Sequence, residues 1–323
     1  MFHFDRGLKL TKPDLAIDMR RRQPRGFISH AHADHMARHE LALCTPATAR
    51  LYQLRLGTRR VLELPYRQPR QWGGVRLTTF PAGHCLGSAM LLADDGDRSL
   101  LYTGDFKLAS SATAEMAELP RADILIMECT FADPTYRIGN REAVVAQLVD
   151  GVAAAIRAGH TPVVHAYVLG KAQEVTCLLT QAGFPVLQHH SIYEISKIYE
   201  AFGVQLGDYQ LYPGRAEPGQ VVVAPPRGMR SFRMPNLERV VSFAVTGWAM
   251  HPSTKHRLGV DHAIPLSDHA DFDQLIEAVE RVQPSKIYCT HGPEAAIHDF
   301  AGRLRDAGWD AAPLEKSQQA RLF

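Results

Sequence analysis

Residues 30–35 read His-Ala-His-Ala-Asp-His, directly after the apolar segment Gly26-Phe27-Ile28-Ser29. Side chains on an extended segment alternate between faces, so His30, His32 and Asp34 share one side. Neutral imidazoles and a carboxylate are the donors that borderline divalent ions such as zinc accept. Packing His30, His32, Asp34 and His35 into so short a stretch would be costly as ordinary core, because every buried polar group needs a partner. The chain must therefore end a strand at a metal-binding pocket. Two histidines followed by an adjacent Asp-His pair also allow the ligands to divide between two ions.

Two ions need further ligands, and three junctions downstream offer them. His84 lies in Pro-Ala-Gly-His-Cys-Leu-Gly, between Gly83 and Gly87. Asp105 follows the apolar run Ser99–Tyr102 and Gly104, and His291 follows Lys286–Thr290 and precedes Gly292. Glycine beside a ligand lets the backbone turn sharply there. A lone histidine after a strand is more often a satisfied core or surface residue. The three junctions gain weight only together, beside the 30–35 cluster.

The ordered set HAHADH, AGHCLGSA, TGDF and THG resembles the metallo-β-lactamase superfamily, whose fold is an αββα sandwich with a two-metal site at one edge. The resemblance implies that His30, His32 and His84 hold one ion and that Asp34, His35 and His291 hold the other. Asp105 would bridge both ions, and Asp18, closing the run Asp14–Asp18, would orient ligands without binding metal.

From about residue 140 the texture changes from short strands to alternating helix and strand. Arg141–Gly159 has amphipathic spacing, Thr161–Val168 reads as a buried strand, and Gly170–Gly183 as a second helix. Further strands at Phe184–Gln188 and Gln220–Pro226 flank a helical Ile192–Phe202, which argues for a parallel α/β unit. After about 255 the chain returns to helix Phe272–Val282, strand Ser285–Gly292 and a last helix, so the unit is inserted and not appended. The expected division is 1–135 and 255–323 for the metal domain, with 136–254 inserted.

An α/β insertion at this place resembles the β-CASP nucleases and sets the chain apart from small-molecule hydrolases of the superfamily. Glu128 in Glu-Cys-Thr-Phe and His269 in Leu-Ser-Asp-His-Ala-Asp-Phe resemble two further signatures of that branch, and His291 doubles as a third. Val168–Val175 (VLGKAQEV) resembles the stretch that opens the second inserted helix. The resemblance implies a catalytic set of Asp34, Glu128 and His269, with His269 as general acid and Glu128 holding its imidazole. Lys171 and Gln173 read equally well as phosphate contacts or as ordinary helix-start residues, whereas His165 reads slightly better as a satisfied core histidine than as a phosphate contact. Two divalent ions, zinc or manganese (or iron), would activate water and clamp the phosphate oxygens of a diester.

The third signature, His291, is usual in RNA-processing members. The opening HFDRGLKL and the pattern FRMPNLERVVSFAVTGWAMHP…GVDHAIPLSDHADFDQL instead resemble bacterial DNA-ligase-associated exonucleases, often labelled mRNA 3′-end processing factors. Glu128–Arg137 (ECTFADPTYR) departs from that subgroup. The expectation is a DNA exonuclease working in repair with a ligase and a helicase. An RNA exo- or endonuclease is the alternative, followed by a small-molecule hydrolase and an inactive scaffold subunit.

Composition restricts the rest. A 46% hydrophobic and 22% charged chain of 323 residues is that of a globular protein, not a disordered one. No apolar run approaches a membrane span, MFHFDRG lacks a signal-peptide core, and the cysteines, including Cys85 and Cys289 beside proposed ligands, form no CxxC pair. A cytoplasmic protein with reduced thiols is expected. Net charge is only +2, and Arg20, Arg21, Arg22 and Arg25 read as either a phosphate grip or a solvated loop.

Overall fold

The computed structural model describes residues 1–226 and 237–315 and divides into two compact units. The first comprises 1–110, 115–136 and 269–323; the second comprises 111–114 and 137–268. The main segment of the second unit runs from Arg137 to Asp268, where the sequence placed an insertion at 136–254. The reason for the later end is pairing: His262–Ile264 hydrogen-bonds in parallel to Val240–Val245 and forms the edge of the inserted sheet.

The first unit is an αββα sandwich. One sheet runs Phe2–Phe4, Leu8–Leu10, Leu15–Ile17, Arg25–Phe27, Leu41–Cys44, Val61–Glu63. The other runs Ala311–Pro313, Lys286–Thr290, Ile124–Glu128, Ser99–Tyr102, Ala89–Asp94, Val75–Pro81, Arg70–Trp72. Leu10, Leu15, Phe27 and Leu43 from the first sheet meet Leu77, Leu91, Leu100 and Ile126 from the second in a shared core. The opposite face of the second sheet packs Leu101, Leu125, Met127 and Ile287 against helices Phe272–Val282 and Glu294–Asp306. Alternation of strand faces explains this division: Leu100 and Leu101 are neighbours in sequence and belong to different cores.

Helix Pro46–Leu56 was not legible among the strands of the first 130 residues. Its apolar residues are few and interleaved with threonine, alanine and arginine, so no clear stripe marks it. The local signal is at its start, where the Thr45 hydroxyl accepts a hydrogen bond from Thr48 N and Pro46 occupies the first turn.

The inserted unit is a six-stranded, wholly parallel sheet in the order Tyr209–Leu211, Val186–Gln188, Val221–Ala224, Thr161–His165, Val240–Val245, His262–Ile264. Its central strands are apolar on both faces, as a covered parallel sheet requires. Helices Arg141–Arg157, Lys171–Gln181 and His190–Ala201 follow the expected spans closely. The FRMPN part of the sequence pattern, residues 232–236, lies outside the described residues. No helix among the described residues is long and apolar enough to cross a membrane.

Candidate metal centre

Strand direction brings the ligands together. Ser99–Tyr102, Ile124–Glu128 and Lys286–Thr290 are adjacent and parallel, so Asp105, Glu128 and His291 emerge at one edge of their sheet. In the other sheet Leu15–Ile17 and Arg25–Phe27 are also parallel, which sets Asp18 beside Ser29 at their shared end.

His30, His32, His84 and Asp105 present ligand atoms all within 4.8 Å of one another. His32 Nδ1 lies 2.9 Å from His30 Nε2 and 3.1 Å from His84 Nε2. Asp105 Oδ2 is 3.6 Å from His30 Nε2, 3.9 Å from His84 Nε2 and 3.3 Å from His35 Nε2. That carboxylate therefore faces both proposed ligand groups, as a bridging residue must.

The second group is drawn together through His35. Its Nε2 is 3.8 Å from Asp34 Oδ2, and its ring stacks on His291 with centroids 4.8 Å apart. Among the described residues, neither Asp34 nor His291 joins a set of three ligand atoms within 4.8 Å of one another. Asp34 sits on a half-exposed turn, where Arg20 Nε donates to its carbonyl. His291 Nδ1 is buried without a hydrogen-bond partner among the described residues. Asp18 and His291 both adopt left-handed backbone, at φ 45° and 46°, a conformation that sharp functional turns tolerate at a cost.

A relay of hydrogen bonds aims these ligands. Asp18 accepts from Ser29 N at 2.7 Å, Ser29 Oγ at 2.5 Å, Tyr102 OH at 2.8 Å and His35 Nδ1 at 2.8 Å. Because the Ser29 hydroxyl donates to Asp18, its oxygen is left to accept from His30 Nδ1 at 3.0 Å. Both His30 and His35 are thereby held with Nε2 turned to the centre. Burial, reinforced by His35, His32 and His84, holds the His30 pKa well below the ordinary value, so its imidazole is neutral. Burial works against charge on His35 too, but Asp105 and Asp18 outweigh it and raise its pKa. Imidazoles converging with a carboxylate, with His30 and His35 each held by an outer partner, fit a divalent metal ion.

Beside this cluster, His269 Nδ1 donates to Glu128 Oε2 at 2.8 Å, with Oε1 at 3.1 Å. Glu128 is buried and also accepts from Phe106 N at 2.6 Å and Thr130 Oγ1 at 2.5 Å. The other ring nitrogen of His269 lies 4.0 Å from Asp105 Oδ2, so the pair abuts the metal ligands.

Residues 257–313 match the family model of the Zn-dependent metallo-hydrolase RNA specificity domain. A probable DNA ligase of Opitutus terrae is 36% identical over 99% of the chain, which spans 31% of that relative. 5′ exonuclease Apollo of Gallus gallus is 29% identical over 81% of the chain and 57% of its own length. Endoribonuclease YSH1 of Candida albicans is 25% identical over 77% of the chain and 35% of its own length. The chain belongs to the β-CASP metallo-β-lactamase-fold family.

It thus spans between about a third and three-fifths of these relatives. A solved structure from Enterococcus faecalis V583, a protein of unknown function, shares the fold at TM-score 0.58. It is 15% identical and aligns over 83% of this chain and 75% of its own.

Two sequence expectations in the β-CASP unit meet a different geometry. Lys171 is fully buried, its ammonium 3.4 Å from Asp268 Oδ1 and 3.8 Å from Glu174 Oε2. Its charge balances those carboxylates, and it does not face solvent where a phosphate would arrive. Gln173 is likewise internal, accepting from Gly170 N and donating to Val168 O. His165 is buried at a strand end, where its Nδ1 donates to Pro225 O at 2.7 Å. Cys85 and Cys289 are buried small residues, as are all five cysteines.

Sequence reasoning missed Ser29, Tyr102 and Thr130, which link Asp18 and Glu128 to the ligands they serve. Each adjoins or nearly adjoins a motif residue, and a hydroxyl in that position was the available signal. It also missed the helix clamp on the His84 loop: Thr45 Oγ1 and Thr48 Oγ1 both donate to Gly87 O, at 2.7 and 2.8 Å.

Proposed function

We propose that this protein is a metal-dependent nuclease that degrades DNA from an end, in repair alongside a ligase and a helicase. The observation that carries the reading is the Glu128–His269 pair set against the metal-ligand cluster, with His269 Nε2 4.0 Å from Asp105 Oδ2. A metal-ligand site alone suits many hydrolases. A buried carboxylate holding a partly exposed imidazole beside it adds a proton donor for a departing alkoxide.

His30, His32, His84, Asp34, His35 and His291 would hold two divalent ions, zinc or manganese, shared through Asp105. When bound, such ions supply nucleophile activation and charge stabilisation for phosphodiester cleavage. Glu128 accepts a hydrogen bond from His269 Nδ1 and so holds the ring with Nε2 free to act. His269 then gives its Nε2 proton to the leaving oxygen. Asp18, Ser29 and Tyr102 keep the ligand rings from turning while this happens.

The arginine distribution supports a polyanionic substrate. Residues 20–60 carry nine arginines and no lysine against two carboxylates, Asp34 and Glu40. Arg22, Arg38, Arg59 and Arg60 line one groove in the first unit. Guanidinium groups grip phosphates by paired hydrogen bonds as well as by charge. For DNA over RNA, the supporting finding is the likeness to a probable DNA ligase across nearly the whole chain. The match of 257–313 to an RNA specificity domain favours an RNA nuclease as the second reading.

Matched single-stranded DNA and RNA, labelled at either end, with circular controls, test the proposal in zinc and in manganese. Loss of linear DNA with circles spared and RNA resistant is expected. Preferential RNA cleavage would replace the DNA reading, and cleavage of circles would replace exonuclease with endonuclease.

A further inference from the structure

The inserted unit has a pocket of about 280 Å³ that the metal chemistry does not use. It opens at the C-terminal ends of three adjacent parallel strands, Val221–Ala224, Thr161–His165 and Val240–Val245. Loops diverge at that edge of an open parallel sheet, which is where such sheets bind ligands. Tyr167, Trp248 and Arg257 line it together with Pro226, Leu258 and Val260.

The lining is specific in kind. Tyr167 is 51% exposed, an unusual state for an aromatic ring beside an apolar wall. Trp248 sits on a short 3₁₀ turn, Gly247–Met250, whose backbone is tied on both sides: Thr246 Oγ1 accepts from Trp248 N, and Thr254 Oγ1 donates to Trp248 O at 2.6 Å. His165 forms a rigid wall, since its ring is fixed to Pro225 O. Among the described residues no carboxylate lines the pocket, and Arg257 adds a positive charge.

We infer that this pocket holds one unstacked base of single-stranded DNA, against Tyr167 and Trp248, with Arg257 meeting the base face or its phosphate. This rests on the nuclease reading. Two rings and a guanidinium offer flat, polarisable surfaces that suit a base π-face. The absence of lining carboxylates spares the polyanionic strand any repulsion.

The test uses the full chain without added metal, so that binding is read apart from cleavage. Linear oligothymidylates carry a fluorescent 2-aminopurine at one position at a time. Stacking in the pocket quenches that base at one position and not at its neighbours. Trp248→Ala and Tyr167→Ala each raise the oligomer Kd by about 5- to 150-fold, the range for losing one base–aromatic stack. Trp248→Phe keeps most of the affinity, and circular dichroism checks that the variants are folded. An abasic site at the quenched position costs the wild type at least as much and costs Trp248→Ala less than it costs the wild type. Quenching at no position, or an unchanged Kd in Trp248→Ala, would overturn the pocket. Quenching with RNA but not DNA would overturn the choice of strand. Intact quenching in a protein that cleaves no nucleic acid with zinc or manganese sinks the nuclease reading and leaves the base pocket standing.

Discussion

A single hydroxyl decides much at this centre. Ser29 donates to Asp18 and accepts from His30, and so selects the tautomer that turns His30 Nε2 inward. The alternating spacing of the 30–35 motif places His30 and His32 on one face, but does not say which ring nitrogen points inward. In the proposed reading His269 serves as proton donor and not as ligand, with Glu128 holding its Nδ1. His269→Ala is therefore expected to keep its metal content by elemental analysis while losing about 10²- to 10⁴-fold in cleavage rate. Loss of metal in that variant would make His269 a ligand instead. His35 carries a proton in the metal-free protein because Asp105 and Asp18 outweigh burial and raise its pKa. That contribution to stability is complete below the unfolded histidine value and fades as pH rises through the raised one. Denaturant melts of metal-free protein should accordingly show His35 stabilisation declining on the alkaline side of neutrality, and a His35→Gln variant should lack that slope. Metal must displace the same proton, so uptake should weaken as pH falls.

At the scale of elements, the ligands depend on parts that carry no chemistry. Helix Pro46–Leu56 holds the His84 loop through two threonine hydroxyls on one carbonyl, that of Gly87. Gly87 has φ +77°, and a Cβ there would lie 2.7 Å from Ala47 Cβ and 2.8 Å from Thr48 N. Gly87→Ala should cost about 1–2 kcal/mol for the left-handed backbone alone, with the backbone collision in addition. The measurement is a denaturant midpoint beside metal content, and an unchanged value of both would remove the clamp from the account. A similar approach explains Gly104, where a Cβ would strike Ser29 Cβ at 2.7 Å. Glycines beside His84 and Asp105 were visible as turn residues in the sequence. What they make room for was not, because their partners lie dozens of residues away in the chain.

On the scale of the whole molecule, charge is unevenly spread. A net +2 conceals an arginine-rich stretch from Arg20 to Arg60, of which Arg22, Arg38, Arg59 and Arg60 line one groove. Arg38→Glu with Arg60→Glu should weaken binding of every strand sequence alike. It should also flatten the plot of log affinity against log salt by at least about 1.4, the value for two phosphate contacts with a single strand. An unchanged slope would return these arginines to a solvated face. Local sequence determined the candidate metal donors, the helix–strand alternation after residue 140 and most of its helices, because ligand spacing and apolar periodicity are properties of neighbouring residues. It marked Glu128 and His269 only by resemblance, since they stand 141 residues apart and are brought together by the fold, where Ala270 N donates to Phe106 O beside the pair. Tertiary structure alone decided that Lys171 is spent on Asp268 and Glu174, that Ser29 and Tyr102 serve Asp18, and that Tyr167 and Trp248 line one pocket. The physical reason is common to all three: a side chain's partner and its exposure are set by what the fold brings to it across space.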